Sequence, residues 1–97
     1  MTFSFYPDAE TELLEAIQFL EERREGLGLE FAREVYAAIQ RILFSPNSWP
    51  IYLGNNRRCF THRFPYTIIY RFEDEQIIIW AVAHQSREPK YWIDRLI

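Results

Sequence analysis

Residues 57–95 concentrate the side chains of this sequence that could transfer protons or bind anions. Imidazole and phenol groups can exchange protons, and guanidinium groups bind anionic oxygens. Both histidines and seven of the eleven Lys and Arg residues fall within this stretch, between short apolar runs. The basic and hydrogen-bonding side chains of interest are Arg57, Arg58, His62, Arg63, Tyr66, Tyr70, Arg71, His84, Arg87, Lys90 and Tyr91. We therefore predict that function lies here and that the preceding residues form the scaffold.

The charge of the chain is unevenly distributed. Residues 1–50 hold nine acidic and four basic side chains, a net charge of −5, whereas residues 51–97 hold five acidic and seven basic ones, a net charge of +2. A nucleic-acid-binding protein usually has a basic footprint even when its total charge is not basic. Here that footprint can lie only in the second half. The alternative is that helix surfaces carry Glu and strand surfaces carry Arg without any functional meaning.

Length and composition bound the class of protein. The 97 residues suffice for one domain, 1–97, and a hydrophobic content of 48% excludes an intrinsically disordered chain. No apolar run approaches the roughly 20 residues that cross a bilayer, and the N-terminus does not read as a secretory signal. Cys59 is the only cysteine, which excludes an intrachain disulfide and a thiolate zinc site. We expect a cytoplasmic protein without membrane association, metal or nucleotide cofactor.

Two amphipathic helices are predicted in the first half of the chain. A short strand at residues 2–6 ends at Pro7, and Asp8 can cap the helix that follows. Residues 26–28, Gly-Leu-Gly, end that helix, and a second apolar stripe at helical spacing begins at Phe31. A linker this short makes the helices antiparallel neighbours. Residues 9–44 are therefore expected to form an acidic helical hairpin.

The second half is predicted to form a meander of strands at 57–64, 67–72 and 76–83, after a loop or weak strand at 51–56. The run QIIIWAVA is apolar on both faces, as in an inner strand. A short C-terminal helix opens at Glu88-Pro89. Its apolar side comprises Tyr91, Trp92, Ile93, Leu96 and Ile97. The predicted fold is α+β, with the order β-α-α-β-β-β-α and the hairpin packed on one face of a mainly antiparallel four-stranded sheet.

The sequence resembles the RelE/ParE superfamily, the toxins of bacterial type II toxin–antitoxin, or plasmid-stabilisation, modules. The resemblance covers essentially the whole chain and includes the element order. It rests on FYPDAETEL at 5–13, LGLEFAREV at 27–35, SPNSWP at 45–50, RR at 57–58, and the pattern FPY…IIY…AVAH…R.P.YW within 63–92. It implies a cognate antitoxin whose extended C-terminal segment wraps the toxin. It also implies one of two activities: RelE-like members cut mRNA in the ribosomal A site without a metal, and ParE-like members poison DNA gyrase and are not enzymes.

The resemblance to RelE-like members implies which side chains would act if this chain were a nuclease. Metal-free RNA cleavage needs a base, an acid and cations beside the scissile phosphate. His84 and Tyr91 are the acid–base candidates, and the phosphate-clamp candidates are Arg63, Arg71 and Arg87. The alternative for His84 is a structural histidine that packs the C-terminal helix. The alternative for Tyr91 is simple docking of that helix on the sheet.

Two departures from the RelE-like pattern favour the other branch. RelE-like nucleases tend to carry an arginine directly after the hairpin tyrosine, where this chain has Thr67, and they are usually lysine-rich and basic. This chain has a single lysine, Lys90, and a sequence pI near 5.3. We therefore favour a ParE-like inhibitor of DNA gyrase or another protein target. The alternatives are a ribosome-dependent mRNA endonuclease and a non-toxic α+β interaction module.

The arrangement of four cationic or titratable side chains on the sheet can separate these alternatives. If Arg63, Arg71, His84 and Arg87 cluster, RNA chemistry is favoured. If they are scattered, protein binding is favoured. The sequence leaves the oligomeric state open between a monomer and a homodimer.

Overall fold

The structure is a computed structural model that describes residues 1–96. The predicted contribution of the Leu96 and Ile97 side chains to the apolar side of the C-terminal helix lies outside the described part. The elements are β1 (Thr2–Phe5), α1 (Pro7–Arg23), α2 (Leu27–Phe44), β2 (Ile51–Leu53), β3 (Asn56–Phe60), β4 (Tyr66–Glu73), β5 (Gln76–His84) and a 3-10 helix (Tyr91–Leu96). None of the helices within residues 1–96 is long and apolar enough to cross a membrane.

The five strands within residues 1–96 form one sheet in the order β1-β5-β4-β3-β2. β1 pairs with β5 in parallel, and every other pair is antiparallel. This arrangement confirms the predicted α+β fold with its mainly antiparallel sheet and helical hairpin. The sheet has five strands rather than four, because Ile51–Leu53 pairs with β3 across a turn at Gly54. The segment predicted as a loop or weak strand is therefore the edge strand β2.

The two helices pack on one face of the sheet and bury the main core. Their buried side chains meet those of β4 and β5, with Phe31, Ile39, Ile68, Tyr70 and Ile77 among the fully buried large residues. A smaller cluster lies on the opposite face, where Trp92 of the 3-10 helix packs on Ile69 and Ala81. β5 is thus covered on both faces, as its continuous apolar run predicted.

The helical hairpin closes more tightly than the Gly-Leu-Gly sequence suggested. α2 begins at Leu27, so Gly28 lies inside the helix instead of ending the previous one. A Cβ atom at Gly28 would stand 2.5 Å from the carbonyl oxygen of Ile17. The Glu21 carboxylate accepts hydrogen bonds from the backbone N–H groups of Gly26, at 2.8 Å, and Gly28, at 3.0 Å. The connection therefore serves close contact between the helices as well as the turn.

The N-terminus of α1 differs from the sequence-based expectation. Asp8 does not cap the helix but lies in its first turn, and Tyr6 occupies the N-cap position without a side-chain hydrogen bond. Pro7 fills the first helical position, where its missing N–H costs nothing because that N–H has no intrahelical acceptor. An acidic residue in the first turn still suits the positive end of the helix dipole.

The predicted strand at 57–64 is too long, because β3 ends at Phe60. The Thr61 hydroxyl donates to the carbonyl of Phe64, at 2.6 Å, and thereby closes a loop rather than a strand. The carboxylate of Glu34 on α2 accepts the backbone N–H groups of His62 and Arg63, each at 3.0 Å. These side-chain bonds satisfy backbone groups that a longer strand would have paired in the sheet.

The C-terminal segment is a 3-10 helix that begins at Tyr91, later than the predicted start at Glu88-Pro89. Lys90 lies immediately before this helix and has a φ of +64°. Residues other than Gly and Asn seldom adopt this left-handed backbone conformation. This conformation turns the chain so that Trp92 is buried against the face of the sheet opposite α1 and α2, with 2% of its surface exposed.

Candidate functional site

A pocket of about 300 Å³ lies beside the 3-10 helix, on the face of the sheet opposite α1 and α2. β2, β3, β4 and β5 form its floor, and residues 85–92 form one wall. Its lining comprises Tyr52, Arg58, Phe60, Thr67, Ile69, Ala83, His84, Gln85, Arg87, Glu88, Pro89, Lys90, Tyr91 and Trp92. Ligand pockets in proteins begin at about this volume.

His84, the last residue of β5, lines this pocket. Its ring meets Tyr66, its partner in the sheet register, edge-on at 5.1 Å between centroids. The Nδ1 atom accepts a hydrogen bond from the backbone N–H of Ser86 at 2.9 Å. Because Nδ1 is the acceptor, the neutral imidazole carries its proton on Nε2. His84 therefore combines the structural contact with a ring that lines the pocket.

Tyr91 lines the pocket with its ring but commits its hydroxyl elsewhere. The hydroxyl donates to a Glu12 carboxylate oxygen at 2.5 Å. Burial is the main cause that raises the pKa of Tyr91 above the ordinary value for tyrosine, and this hydrogen bond is the second. A group whose pKa lies so far above neutrality is poorly matched to proton transfer at physiological pH. The guanidinium of Arg87 lies over the ring, 3.8 Å from its centroid.

Glu12 is the residue that sequence reasoning missed. Its carboxylate accepts hydrogen bonds from the backbone N–H of Val82, the hydroxyl of Tyr91 and the guanidinium of Arg95, at distances of 2.5 to 3.0 Å. It thereby joins α1, β5 and the 3-10 helix. A signal existed in the helical spacing, because Glu12 follows Ala9 by three residues and precedes Ala16 by four. This places it at the border of the apolar stripe rather than on the outer face.

Two of the predicted phosphate clamps lie away from the pocket. Arg63 contacts α2, with Nε 3.0 Å from a Glu34 oxygen and Nη2 3.3 Å from a Glu30 oxygen. Arg71 pairs with Glu73 at 3.5 Å and lies over the Trp80 ring.

The strand register gives the distance of Arg71 from His84. His84 is opposite Tyr66, and Arg71 is five residues further along β4, about 16 Å at the rise of an extended strand. Of the five predicted site residues, the structure therefore brings together His84, Arg87 and Tyr91 and leaves Arg63 and Arg71 apart.

Two further cations of the pocket, Arg58 and Lys90, belong to the basic residues of interest but are not among the five predicted site residues. The Arg58 guanidinium lies 4.4 Å from the centroid of the Tyr52 ring, and Lys90 Nζ lies 5.7 Å from the same centroid. Adjacent residues of a strand point to opposite faces of the sheet, so only one of the two neighbouring arginines of β3 faces the pocket. Arg57 instead donates to the carbonyls of Asn47 and Trp49. No group of three or more His, Cys, Asp or Glu within residues 1–96 could hold a metal ion.

Most of the chain matches a known protein family. Residues 3–89 match the family described as ParE toxin of type II toxin-antitoxin system, parDE. The chain belongs to the ParE toxin family. A solved structure, the chromosomal ParDE TA system from P. aeruginosa, contains a similar chain with a TM-score of 0.71 and 17% sequence identity; the match covers 87% of this chain and 95% of that one. Among curated proteins no significant match is found.

Membership of the ParE family confirms the resemblance to the RelE/ParE superfamily that the sequence showed. This ParE-family protein is the toxin component of a type II toxin–antitoxin module, and an antitoxin is its partner. The structural match, at its low sequence identity, shows the fold alone.

Proposed function

We propose that this ParE-family toxin inhibits DNA gyrase by binding it as a protein partner, and that it does not cleave RNA. One observation carries the proposal: the five side chains suggested for RNA cleavage do not form a single constellation. Arg63 and Arg71 pair with carboxylates outside the pocket. An arginine that is already neutralised and distant cannot stabilise charge at a phosphate near His84.

The need of RNA cleavage for an acid and a base also argues against a nuclease. Cleavage through the ribose 2′-hydroxyl needs both a base and an acid within hydrogen-bond reach of the reacting oxygens. The Tyr91 hydroxyl donates to Glu12, and its pKa is raised, mainly by burial. Tyr91, the other predicted acid–base residue, is therefore poorly suited to exchange a proton beside His84. The cationic and apolar residues around His84 suit the binding of a partner more than acid–base chemistry.

The overall charge also favours a protein target. The chain carries a net charge of −3. Binding to ribosomal RNA depends on the neutralisation of several phosphates and on long-range attraction. An acidic protein with one compact basic pocket gains little from either effect, whereas binding to a protein surface requires neither.

The ribosome-dependent nuclease remains the second candidate, and a specific observation favours it. His84 and Arg87 line one pocket together with Arg58 and Lys90. Three cations beside an imidazole would suit a phosphate if the acid were supplied by the substrate complex. The non-toxic interaction module is the third candidate, and it predicts normal growth when the chain is produced alone.

The antitoxin has two kinds of surface available on this fold. The outer strand β2 leaves one sheet edge open, and its Ile51 is 62% exposed. An extended segment could add a strand there, whereas an amphipathic helix could pack along the helical hairpin at 9–44. Self-association as a homodimer stays a separate prediction, which sedimentation velocity on the free chain can check.

Production of the toxin alone in bacteria tests the proposed target. Plasmid topology and primer extension on a reporter mRNA are read from the same culture. Gyrase inhibition predicts altered supercoiling or double-strand breaks with intact mRNA, and purified gyrase should lose supercoiling activity when the toxin is added. Codon-positioned mRNA cuts that require translation would replace the proposal with the nuclease. Unimpaired growth with neither signal would favour the interaction module.

A further inference from the structure

The pocket beside the 3-10 helix holds positive charge that the described part of the chain does not neutralise. Arg58, Arg87 and Lys90 all line it, whereas Glu88 is the only acidic residue among the described residues of the lining. None of the ion pairs found within residues 1–96 includes any of these three cations. Concentrated like charge in an acidic protein destabilises the free state, and an anion in the pocket would relieve the repulsion.

Aromatic rings hold these cations in place. Arg58 stacks on Tyr52 and lies 5.5 Å from the centroid of Phe60, and Arg87 stacks on Tyr91. Tyr52 in turn lies 6.0 Å from Trp92, which is buried. A stacked guanidinium keeps its N–H edge directed outward while its rotamer is restricted. Such an arrangement is prepared for bidentate hydrogen bonding to an oxyanion.

Lys90 adds a second indication. Its backbone adopts the left-handed conformation, with a φ of +64°, which is strained for a residue with a side chain. Glycine would remove this strain, but it would also remove the ammonium group that lies over the Tyr52 ring. A residue that places a cation at the cost of backbone strain is typical of a binding site.

The same contacts select among anionic partners. Nucleic acid would stack its bases on exposed aromatic faces. Here guanidinium groups cover the faces of Tyr52 and Tyr91. Arg58, Arg87 and Lys90 also share one pocket of about 300 Å³ rather than extending along a track for several phosphates. A carboxylate flanked by apolar side chains fits better, because Phe60, Ile69 and Trp92 supply an apolar floor beside the cations.

We propose that this pocket binds the carboxylate of an acidic residue within an otherwise apolar segment of a protein partner. Arg58 and Arg87 provide bidentate N–H donors, Lys90 provides a point charge, and the apolar floor takes the neighbouring side chain. The inference concerns the kind of segment recognised and does not depend on gyrase being the target. A failure of the gyrase assay would therefore leave it standing, and the reverse also holds.

Fluorescence anisotropy with short labelled probes tests this inference on the full chain. The probe is a short capped peptide in which a single glutamate is flanked by leucines, and the matched probe carries glutamine in place of that glutamate. A short oligothymidylate represents nucleic acid. We expect the glutamate peptide to bind more tightly than both others, with affinity that falls as salt is added. Arg58→Gln and Lys90→Gln should each weaken binding about tenfold, a typical loss for one charge-assisted contact.

The matched control is Arg23→Gln, which removes one positive charge from the exposed end of α1, away from the pocket. Its affinity should remain that of the unmodified chain. Lys90 is exposed, so Lys90→Gln provides a folded variant even if Arg58→Gln alters β3. The inference is overturned if the glutamate peptide does not bind at millimolar concentration, if the glutamine peptide binds equally, if the oligothymidylate binds more tightly, or if Arg23→Gln weakens binding as much as Lys90→Gln.

Discussion

The hydroxyl of Tyr91 donates a hydrogen bond to the carboxylate of Glu12, which lies 79 residues away in the sequence, at an O–O distance of 2.5 Å. The same carboxylate accepts from Arg95 and from the backbone N–H of Val82, a residue of β5 beyond the end of its pairing with β1. Glu12 therefore satisfies an edge N–H that β1 is too short to reach. It also holds the 3-10 helix, and with it one wall of the pocket, against α1.

The first prediction is that Glu12→Gln destabilises the protein by about 2 kcal/mol, because Arg95 loses its principal counter-charge in a site where both side chains are only 13% exposed. Urea unfolding followed by circular dichroism measures the change. Glu22→Gln, which removes an exposed carboxylate from the same helix, is the matched control and should change stability by less than about 0.5 kcal/mol. Equal stability of the two variants would show that the Glu12 contacts contribute nothing net.

The second prediction concerns the contact between the two helices at Gly28. Gly28→Ala places a Cβ atom 2.5 Å from the Ile17 carbonyl oxygen, so the helices must separate, and we expect a loss of about 2 kcal/mol. Without the clash the same change would stabilise a helix interior by up to about 1 kcal/mol. Gly54→Ala has free space but a φ of +57°, and it should cost about 1 kcal/mol from backbone strain alone. A Gly28→Ala protein as stable as the unmodified chain would contradict the close helix contact.

The third prediction is a stabilising change in the hairpin between β4 and β5. Asp74 and Glu75 form its two-residue turn with φ values of 54° and 60°, as in a type I′ turn. Glu75→Gly removes the strain at the second position, and we expect a gain of about 0.5–1 kcal/mol. Glu73→Gly, one residue before the turn and within β4, should instead be destabilising. A lower melting temperature for Glu75→Gly would refute the assigned turn.

The fourth prediction is a pH dependence that involves Glu34. The backbone N–H of Arg63, supported by its guanidinium and by the N–H of His62, lowers the pKa of Glu34 below 4.5, although partial burial opposes the shift. A lowered folded-state pKa means that the stabilisation is complete above the unfolded-state pKa. It is lost as the pH falls toward the folded-state value.

Urea unfolding at about pH 7 and about pH 3 tests this effect in the unmodified chain and in Glu34→Gln. The difference in unfolding free energy between the two proteins should be larger at the higher pH and should shrink at the lower one. Glu25→Gln, an exposed carboxylate between the helices, provides the comparison for general charge effects. A difference that does not change with pH would mean that Glu34 acts only through its shape.

Much of the fold followed from period and turn residues. Strands β4 and β5 and both helices lie close to their predicted positions because their apolar spacing is regular and their ends carry turn signals. β3 was predicted too long, because alternation continued past Phe60 while the Thr61 hydroxyl and Glu34 redirected the backbone. Alternation cannot reveal a side chain that takes over backbone hydrogen bonds from another element.

The candidate site was harder to predict for the same reason. His84, Arg87 and Tyr91 are close in sequence, and the end of β5 brings them together. Arg63 and Arg71 looked equivalent in sequence, but Arg63 pairs with Glu34 of α2, and Arg71 lies five residues further along β4 than the partner of His84. Glu12 precedes Tyr52, the first residue of the pocket lining, by 40 residues (52 − 12), so only the packing of α1 on β5 reveals its role. Local spacing therefore predicted three of the residues that line the pocket, whereas the ion pair of Arg63 with α2 and the position of Arg71 along the sheet depend on the folded structure.

The last prediction concerns toxicity and the pocket. His84→Gln combined with Arg87→Gln replaces the imidazole and the guanidinium of the pocket with neutral amides while retaining Tyr91, whose hydroxyl secures the 3-10 helix through Glu12. If the pocket contacts the target, the loss of about 2 kcal/mol of charge-assisted contact should weaken target binding about thirtyfold and restore growth upon induction. Colony counts after induction measure the effect, with Arg23→Gln as the charge-matched control and thermal unfolding as the check on folding. Arg23→Gln should remain toxic. Full toxicity of a folded double variant would place the target-binding surface elsewhere on the protein, with the helical hairpin as the next region to test.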